Sequence, residues 1–325
     1  MTEPVPVVDA SFASPSPGLV CAHHHLYSAL ARWLPPLDPP PRGLLDALER
    51  RWWRLDVALT LDDLEWSAKL AALEALQAGC TAILDHHESP RAIEGSLDVL
   101  AAACAEVGVR VSCAYGVTDR HGPDGARAGL AENERFLRGG GRGMVGVHAA
   151  FTCADETLHA AAGLARDRGV GVHVHVAEDA CDAAAADRLR ELATDDWLLV
   201  HGVHLPDRHG MAGTIVHNPR SNAANHVGHA RPTRFTNRVV LGTDGFDGDL
   251  RAEAAAAGPD GPRWLAAGWE LVPEALGDVV VAGEHGLDVT VDGRVVLRDG
   301  RSTRVDEDEI RARARERAVA LAARW

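Results

Sequence analysis

The chain has 325 residues, a formal net charge of −14 and 46% hydrophobic residues. The acidic charge disfavours nucleic acid and anionic membrane surfaces as partners, because both are themselves negatively charged. No apolar run approaches the roughly 20 residues of a membrane span, and no signal-peptide pattern is visible, so we expect a cytoplasmic protein.

The first predicted element is a strand that ends in three histidines. Leu19 to Ala22 is typical of a strand, and His23, His24 and His25 follow it directly. Because strand side chains alternate between two faces, His23 and His25 point to one side and His24 to the other. The predicted functional unit is therefore His-x-His, with His24 as a packing residue.

Short apolar runs and helix-like stretches then alternate along the chain. Further strands are predicted at 79–85, 109–115, 144–151, 170–176, 197–201, 214–217 and 238–241. Helices are predicted between them at 92–107, 125–137, 155–168 and 180–193. This alternation favours a parallel sheet, and eight strands in a chain of this length predict a closed (β/α)8 TIM barrel.

The sequence after Asp244 changes character. Residues 279–296 alternate around an Asp292-Gly293 turn, which predicts a small antiparallel hairpin. A charged amphipathic helix is predicted to begin near its N-cap at Asp306. We therefore expect a barrel over residues 1–275, a reduced β appendage over 276–305 and a C-terminal helix over 306–325.

Histidines and carboxylates lie at the predicted carboxyl ends of most strands, the edge at which barrels of this type carry function. They are His23, His24, His25, Asp85, His86, His87, Glu88, His148, His173, His175, Glu178, His201, His217 and Asp244. Each has a structural alternative when taken singly, such as a turn for Asp244 or a helix start for Glu178. A metal centre explains them together.

Some residues are candidates for contact with a substrate. Trp53, like its neighbour Trp52, could stack on a flat heterocycle or pack in a helix core. His86 ends a strand near the expected pocket. Asn218 could contact substrate, with capping or strand-end hydrogen bonding as the alternative.

Seven segments carry a resemblance to a known family. They are PGLVCAHHHLYSALAR (17–32), GCTAILDHHESPRAIEGSLDVL (79–100), GMVGVHAAFTCADETL (143–158), VHVHVAED (172–179), VHGVHL (200–205), VHNPRSNAAN (216–225) and LGTDGF (241–246). The chain resembles the amidohydrolase superfamily, in the branch of cytosine and guanine deaminases, triazine hydrolases and aminohydrolases encoded near selenium-dependent hydroxylase genes.

The resemblance implies a set of site residues. The implied metal ligands are His23, His25, His175 and Asp244. It further implies that Glu178 is a proton shuttle, that His201 is a partner of the attacking water or the substrate oxygen, and that His148 faces the substrate. Binuclear members carry a bridging carboxylated lysine on strand 4, whereas the only lysine here, Lys69, precedes strand 2. A mononuclear site is therefore implied.

Three imidazoles and one carboxylate suit Zn²⁺ or Fe²⁺. We expect a homodimeric enzyme with one divalent metal that hydrolyses a C–N bond and deaminates a small cyclic amidine- or guanidine-like heterocycle, such as a purine, pterin, pyrimidine or triazine. Two alternatives stay open. One is ring opening of a cyclic amide or imide, or displacement of another leaving group, at the same site. The other is a metal-binding or scaffolding protein without turnover. Compared with typical members, the chain is expected to be shortened at both ends.

Overall fold

Eight short parallel strands form the centre of the molecule in the computed structural model, which describes residues 12–325. They are β1 (Leu19–His24), β2 (Cys80–His87), β3 (Arg110–Tyr115), β4 (Val145–Ala149), β5 (Val172–Val176), β6 (Leu198–His201), β7 (Thr214–His217) and β8 (Val239–Leu241). β1 to β3 form one hydrogen-bonded sheet and β4 to β8 another. Parallel bridges join Cys113 to Gly143 and His24 to Asp244, which closes the strands into the predicted (β/α)8 barrel.

Helices surround the barrel strands. They are α1 (Leu44–Ala47), α2 (Trp53–Ala58), α3 (Leu61–Gln77), α4 (Ser96–Val107), α5 (Gly122–Arg138), α6 (Asp155–Arg168), α7 (Pro219–Ala224), α8 (Leu250–Ala256), α9 (Gly261–Ala267) and α10 (Glu307–Ala322). The helix predicted at 155–168 is confirmed at both ends by α6. Over residues 12–325, none of the helices combines the length and the apolar character needed to cross a bilayer.

The helix predicted over 180–193 is wrong. This segment forms turns and a short 3-10 helix, Ala185–Leu189. The physical reason is local, because the Asp182 carboxylate accepts hydrogen bonds from the backbone N–H groups of Glu178 and Asp179 and holds the chain in a turn. Glu178 therefore does not start a helix and stays at the end of β5.

The predicted hairpin is part of a larger sheet. The strands β9 (Val279–Ala282), β10 (Leu287–Val291), β11 (Arg294–Arg298) and β12 (Arg301–Ser302) pair in the order β12-β11-β10-β9. Ser16, just before β1, forms an antiparallel bridge with Val280 of β9. The hairpin prediction was therefore too small, because the partners of β10 and β11 come from short flanking segments with little strand pattern of their own.

The C-terminal helix, α10, packs against the outside of the barrel. The side chain of Asp306 accepts hydrogen bonds from the N–H groups of Asp308 and Glu309, which confirms the predicted N-cap of α10. Arg317 of α10 donates to the buried carboxylate of Asp63 at 2.8 Å. This contact ties α10 to α3 on the outside of the barrel.

Gly242 allows the end of β8 to approach β1. A Cβ at this position would lie 2.8 Å from the Cβ of His23 and 2.5 Å from Oδ1 of Asn218. The N–H groups of Thr243 and Asp244 both donate to the carbonyl of His23, at 2.9 and 3.1 Å. Closure of the barrel at this point places Asp244 beside the His-x-His segment.

Candidate active site

The four side chains predicted as metal ligands converge at the carboxyl end of the barrel. The Nε2 atoms of His23 and His25 lie 3.2 and 3.0 Å from Oδ1 of Asp244. The Nε2 atom of His175, on β5, lies 3.3 Å from Nε2 of His23. Three imidazole nitrogens and one carboxylate oxygen thus face a common point, and donors of these types can hold a divalent metal ion.

The outer nitrogens show that two of these rings are oriented for metal binding. Nδ1 of His25 lies 2.6 Å from the carbonyl oxygen of His86, and Nδ1 of His175 lies 2.7 Å from that of His148. A carbonyl only accepts, so each Nδ1 carries the hydrogen and each Nε2 presents a lone pair to the centre. Burial also lowers the pKa of His175 to about 3, which keeps this imidazole neutral. The residues present therefore fit a divalent metal ion.

Asp244 and His25 stabilise each other's charged forms. Burial opposes ionisation of Asp244, but hydrogen bonds from His23 and His25 outweigh it and hold the pKa of Asp244 well below its ordinary value. Burial likewise lowers the pKa of His25, and the contact with Asp244 more than offsets it and raises that pKa to about 9. Metal binding at this point would have to displace a proton from His25.

His201 is a further candidate ligand that the sequence placed in another role. Its Nε2 lies 3.6 Å from Oε2 of Glu178 and 4.0 Å from Oδ2 of Asp244. The His201 ring is also close enough to those of His23 and His175, with ligand atoms within 4.8 Å of one another, to share one cation with them. Nδ1 of His201 donates to Oδ1 of Asn222 at 2.8 Å, which leaves Nε2 facing the centre.

The backbone is left-handed at two of these positions. Asp244 has a φ of 54° and His201 a φ of 72°. For a residue with a Cβ this conformation costs roughly 1–2 kcal/mol. Such strain gathers at functional sites, and here it aims both side chains at the same point.

Glu178 lies beside this group in the turn after β5. Its Oε1 accepts a hydrogen bond from Nδ2 of Asn225 at 3.3 Å, and its Oε2 faces His201. Burial raises the pKa of Glu178 to about 7, and the neighbouring charge of Asp244 adds to this while His201 opposes it. A carboxyl group that titrates near neutral pH is suited to both accepting and donating a proton.

A cavity of about 100 Å³, open to solvent, lies above the convergent group. The aromatic residues along it are Tyr27, Trp52, Trp53, Phe151 and Phe246. Of the sequence-predicted substrate contacts, Trp53 and His148 line the cavity, with ring centroids 6.4 Å apart. The cavity therefore has flat apolar surface next to the convergent group.

His86 and Asn218 are the other two predicted substrate contacts. Both are fully buried and lie outside the cavity lining. His86 points into the barrel interior, where its Nε2 donates to the carbonyl of Val147 at 3.1 Å. Nδ2 of Asn218 lies 3.4 Å from Nδ1 of His201, behind that ring. His86 also lies close enough to His25 and His175 to share a cation with them, and substrate contact by His86 or Asn218 stays a prediction.

Two sequence interpretations about residues outside the centre agree with the structure. His24 faces away from the group, and its Nδ1 lies 2.7 Å from the hydroxyl of Thr243. Lys69 lies on α3 and pairs with Glu65 and Glu106, far from β4. No lysine can therefore bridge two metals at the end of β4.

Three charged residues form an ionic group in the cavity wall, and only Glu88 among them was a candidate from the sequence. Asp56 and Glu88 line the cavity, and Nη2 of Arg120 pairs with both carboxylates from behind. The Arg120 guanidinium also lies over the ring of Trp53, 4.5 Å from its centroid. Two carboxylates share one arginine, so this wall presents hydrogen-bond acceptors to the cavity. The only sequence signals were an acidic residue inside WWRLD and the Glu that follows DHH.

Burial raises the pKa values of the two carboxyl groups in this wall. It raises the pKa of Asp56 to about 6 and that of Glu88 to about 8, with Arg120 opposing both shifts. Oε1 of Glu88 lies 3.8 Å from Nε2 of His148. The wall can therefore change its hydrogen-bonding state near neutral pH.

Comparison with known proteins gives one family. Residues 16–268 match the model of the amidohydrolase family. The chain is 32% identical over 254 residues to 5′-deoxyadenosine deaminase of Methanopyrus kandleri, covering 70% of this chain and 56% of that protein. It is 33% identical over 250 residues to 8-oxoguanine deaminase of Pseudomonas aeruginosa, covering 66% and 55%. The chain thus spans about half the length of the curated relatives it matches.

Solved structures match over nearly the whole chain. An adenosine deaminase from Xanthomonas campestris with bound zinc gives a TM-score of 0.80 at 20% identity, covering 95% of this chain and 86% of the other. Atrazine chlorohydrolase from Arthrobacter aurescens, complexed with zinc, gives 0.71 at 20% identity, covering 94% and 88%. At this identity the likeness shows a shared fold.

Proposed function

The chain belongs to the amidohydrolase family, and from this membership we propose that it is a metal-dependent aminohydrolase that deaminates a small cyclic amidine- or guanidine-like heterocycle. The observation that carries the proposal is the convergence of His23, His25, His175 and Asp244 beside Glu178, a buried carboxyl group with a pKa of about 7. The two relatives named as deaminases of 5′-deoxyadenosine and 8-oxoguanine support the substrate class.

We propose that the cofactor is a single divalent ion, Zn²⁺, held by the four convergent side chains, with Fe²⁺ as the alternative that the same donors accept. Zinc in two structures of the same fold supports this choice. The bound ion would act as a Lewis acid that activates water near neutral pH. The lack of a lysine on β4 supports one ion rather than two.

The remaining groups of the site supply proton transfer and charge stabilisation. The Glu178 carboxylate can accept a proton from the attacking water and deliver it to the leaving nitrogen. His201 faces the same point and can stabilise charge that develops at the attacked carbon. The net reaction replaces C–NH2 by C–OH, or its C=O tautomer, and releases ammonia.

The cavity walls support a flat, polar substrate. Trp53 and Phe151 offer apolar ring surface, and His148 lies between this surface and the metal-binding group. Asp56 and Glu88 can accept hydrogen bonds from donors on the substrate. An aromatic heterocycle with an exocyclic amine and further donor groups fits these walls.

The proposal includes a cytoplasmic homodimer. Val279 and Val295 of the antiparallel sheet are 42% and 41% exposed and are the positions at which we place a contact with a second subunit. Light scattering coupled to size exclusion would measure the mass, and a monomer at micromolar concentration would contradict the dimer.

The test of the proposed function joins metal analysis to product analysis. The purified protein should hold about one zinc or iron per chain, lose it to a chelator and regain it on reconstitution. The loaded form should release ammonia from at least one purine, pterin, pyrimidine or triazine. A ring-opened product without ammonia would contradict deamination, and a protein that stays metal-free on reconstitution would contradict the whole proposal.

We expect kcat/KM of the metal-loaded enzyme to fall about tenfold per pH unit below pH 7. Burial raises the pKa of Glu178 to about 7, so the carboxylate needed as a proton acceptor is lost as the pH falls through that value. A pH–rate profile measures this. The pKa of Glu253 is also raised to about 7, but Glu253 lies outside the cavity, so the Glu253→Gln variant should keep the same profile. A profile that is flat through pH 7 would contradict this role of Glu178.

We expect the Glu88→Gln variant to raise KM about tenfold and to change kcat by less than about threefold. Gln keeps the shape of Glu88 but weakens one acceptor of the cavity wall and its pairing with Arg120. Steady-state kinetics separates the two parameters. Glu132→Gln is the control, because Glu132 is equally buried but accepts from the backbone of Gly95 and Leu97 outside the cavity. Equal KM values in the two variants would rule out a substrate contact at Glu88.

A further inference from the structure

Among the three histidines predicted as metal ligands, His23 differs from His25 and His175 in what holds its outer nitrogen. Nδ1 of His25 and Nδ1 of His175 each lie against a backbone carbonyl. Nδ1 of His23 instead lies 2.9 Å from Nε2 of His173, a side chain on β5. Both rings are fully buried, with centroids 5.0 Å apart and planes at 71°.

We propose that His173 is a positioning residue of the metal centre, which accepts the Nδ1–H of His23 and thereby presents the Nε2 lone pair of His23 to the ion. The inference rests on the proposed function, because it needs a metal at this point. Outer partners of this kind fix the tautomer and the orientation of a ligand, and their loss weakens metal binding.

Because its partner is an imidazole, the tautomer of His23 depends on whether His173 accepts or donates a hydrogen bond. A backbone carbonyl can only accept, so it allows one tautomer of the ring it touches. An imidazole can accept or donate. If His173 donated, His23 would carry its hydrogen on Nε2, which lies 3.2 Å from Oδ1 of Asp244, and that nitrogen could not bind a metal. His23 is thus the one His-x-His ligand whose tautomer depends on a side chain.

The geometry of β5 explains how His173 reaches its partner. His173 and His175 are two residues apart, so both point to the same side of the strand, into the barrel. His175 lies at the level of the centre, and His173 lies one layer deeper. From there its Nε2 reaches up to Nδ1 of His23 across the barrel interior.

The other nitrogen of His173 supports a role beyond packing. When Nε2 accepts, Nδ1 carries the hydrogen, and this atom is buried with no hydrogen-bond partner within residues 12–325. A buried donor without a partner lowers stability. An apolar side chain would avoid that loss, so the imidazole is explained by what its Nε2 does for His23.

The experiment compares three variants of the full chain for metal affinity. His173→Leu removes the acceptor, and His173→Gln restores an amide oxygen at a similar reach. His87→Leu is the matched control, because His87 is another fully buried histidine, on β2, that is hydrogen-bonded to Ser89 and contacts no candidate ligand. Zn²⁺ affinity is measured by competition with a chromophoric chelator, and Co²⁺-loaded protein is examined by visible absorption.

We expect His173→Leu to weaken Zn²⁺ binding about 10- to 100-fold and to alter the Co²⁺ bands. His173→Gln should return the affinity to within about threefold of the wild type and keep the wild-type bands. His87→Leu should leave both unchanged, even if its metal-free form unfolds at a lower temperature. His173→Phe, which keeps a ring but has no acceptor, replaces His173→Leu if that variant does not fold.

Two results would overturn the inference. One is a Zn²⁺ affinity of His173→Leu or His173→Phe equal to that of the wild type. The other is a His173→Gln variant that binds metal no better than the apolar variants, which would reduce His173 to packing. A wild type that binds no metal at all is a different failure, because it would remove the proposed function together with this inference.

Discussion

Replacement of His175 by alanine is expected to empty the metal centre and to lower kcat/KM on the order of a thousandfold or more. Nε2 of His175 lies 3.3 Å from Nε2 of His23, and its ring stacks between those of His25 and His201, at 5.3 and 5.6 Å. Its loss removes one of three imidazole donors from the middle of the group. Elemental analysis of the purified variant, together with its rate of ammonia release, measures both effects.

The control for this variant is another buried histidine at a strand end. His217 ends β7, packs its ring 5.5 Å from that of Trp264 and lies outside the cavity lining. His217→Ala should lower thermal stability and keep about one metal per chain. If His175→Ala retained the metal and the activity of the wild type, the ligand set proposed for this centre would be wrong.

The Glu178→Gln variant is expected to keep its metal and to lose kcat by about 10²- to 10⁴-fold. Gln has nearly the same shape and can still meet Asn225, but it can neither accept a proton from water nor deliver one to a leaving amine. The measurement is kcat at a metal content confirmed to equal that of the wild type. This variant therefore separates proton transfer from metal binding.

Glu253→Gln is the matched control for Glu178→Gln. Glu253 is fully buried on α8 and pairs with Arg220, so its replacement removes a buried carboxylate without touching the cavity. Its kcat should stay within about threefold of the wild type. A Glu178→Gln variant with near-normal kcat would mean that another group moves the proton, and His201 would be the first to examine.

Local pattern and family resemblance were enough to predict which side chains converge at the carboxyl end of the barrel. The alternation of β1 separates His23 and His25 from His24, and the structure shows this separation. Alternating strands and helices predicted the barrel, and a barrel brings strand ends together whatever their distance along the chain. The side chains of His23 and Asp244 meet although 221 positions separate them.

Patterns in the sequence did not predict the local structure or the position of a side chain where a long-range contact or a neighbouring side chain determines it. The alanine-rich composition of residues 180–193 predicts a helix. The segment forms turns instead, because the Asp182 carboxylate accepts hydrogen bonds from the backbone of the preceding turn. His86 and Asn218 lie at strand ends, yet both are fully buried and neither lines the cavity. A strand end predicts the layer in which a residue lies, but not whether its side chain reaches the cavity.

The sequence by itself determined the features that follow a regular repeat. These are most of the strands and helices of the barrel and the side of β1 that carries His23 and His25. Only the tertiary structure decided the contacts that join distant segments. These are the pairing of Arg120 with Asp56 and Glu88 in the cavity wall, and the approach of His173 to His23 beneath the centre. The physical reason is that a period of two or 3.6 residues fixes the direction of a side chain within one element. The partner it meets depends on how the barrel closes and on the register of strands far apart in the chain.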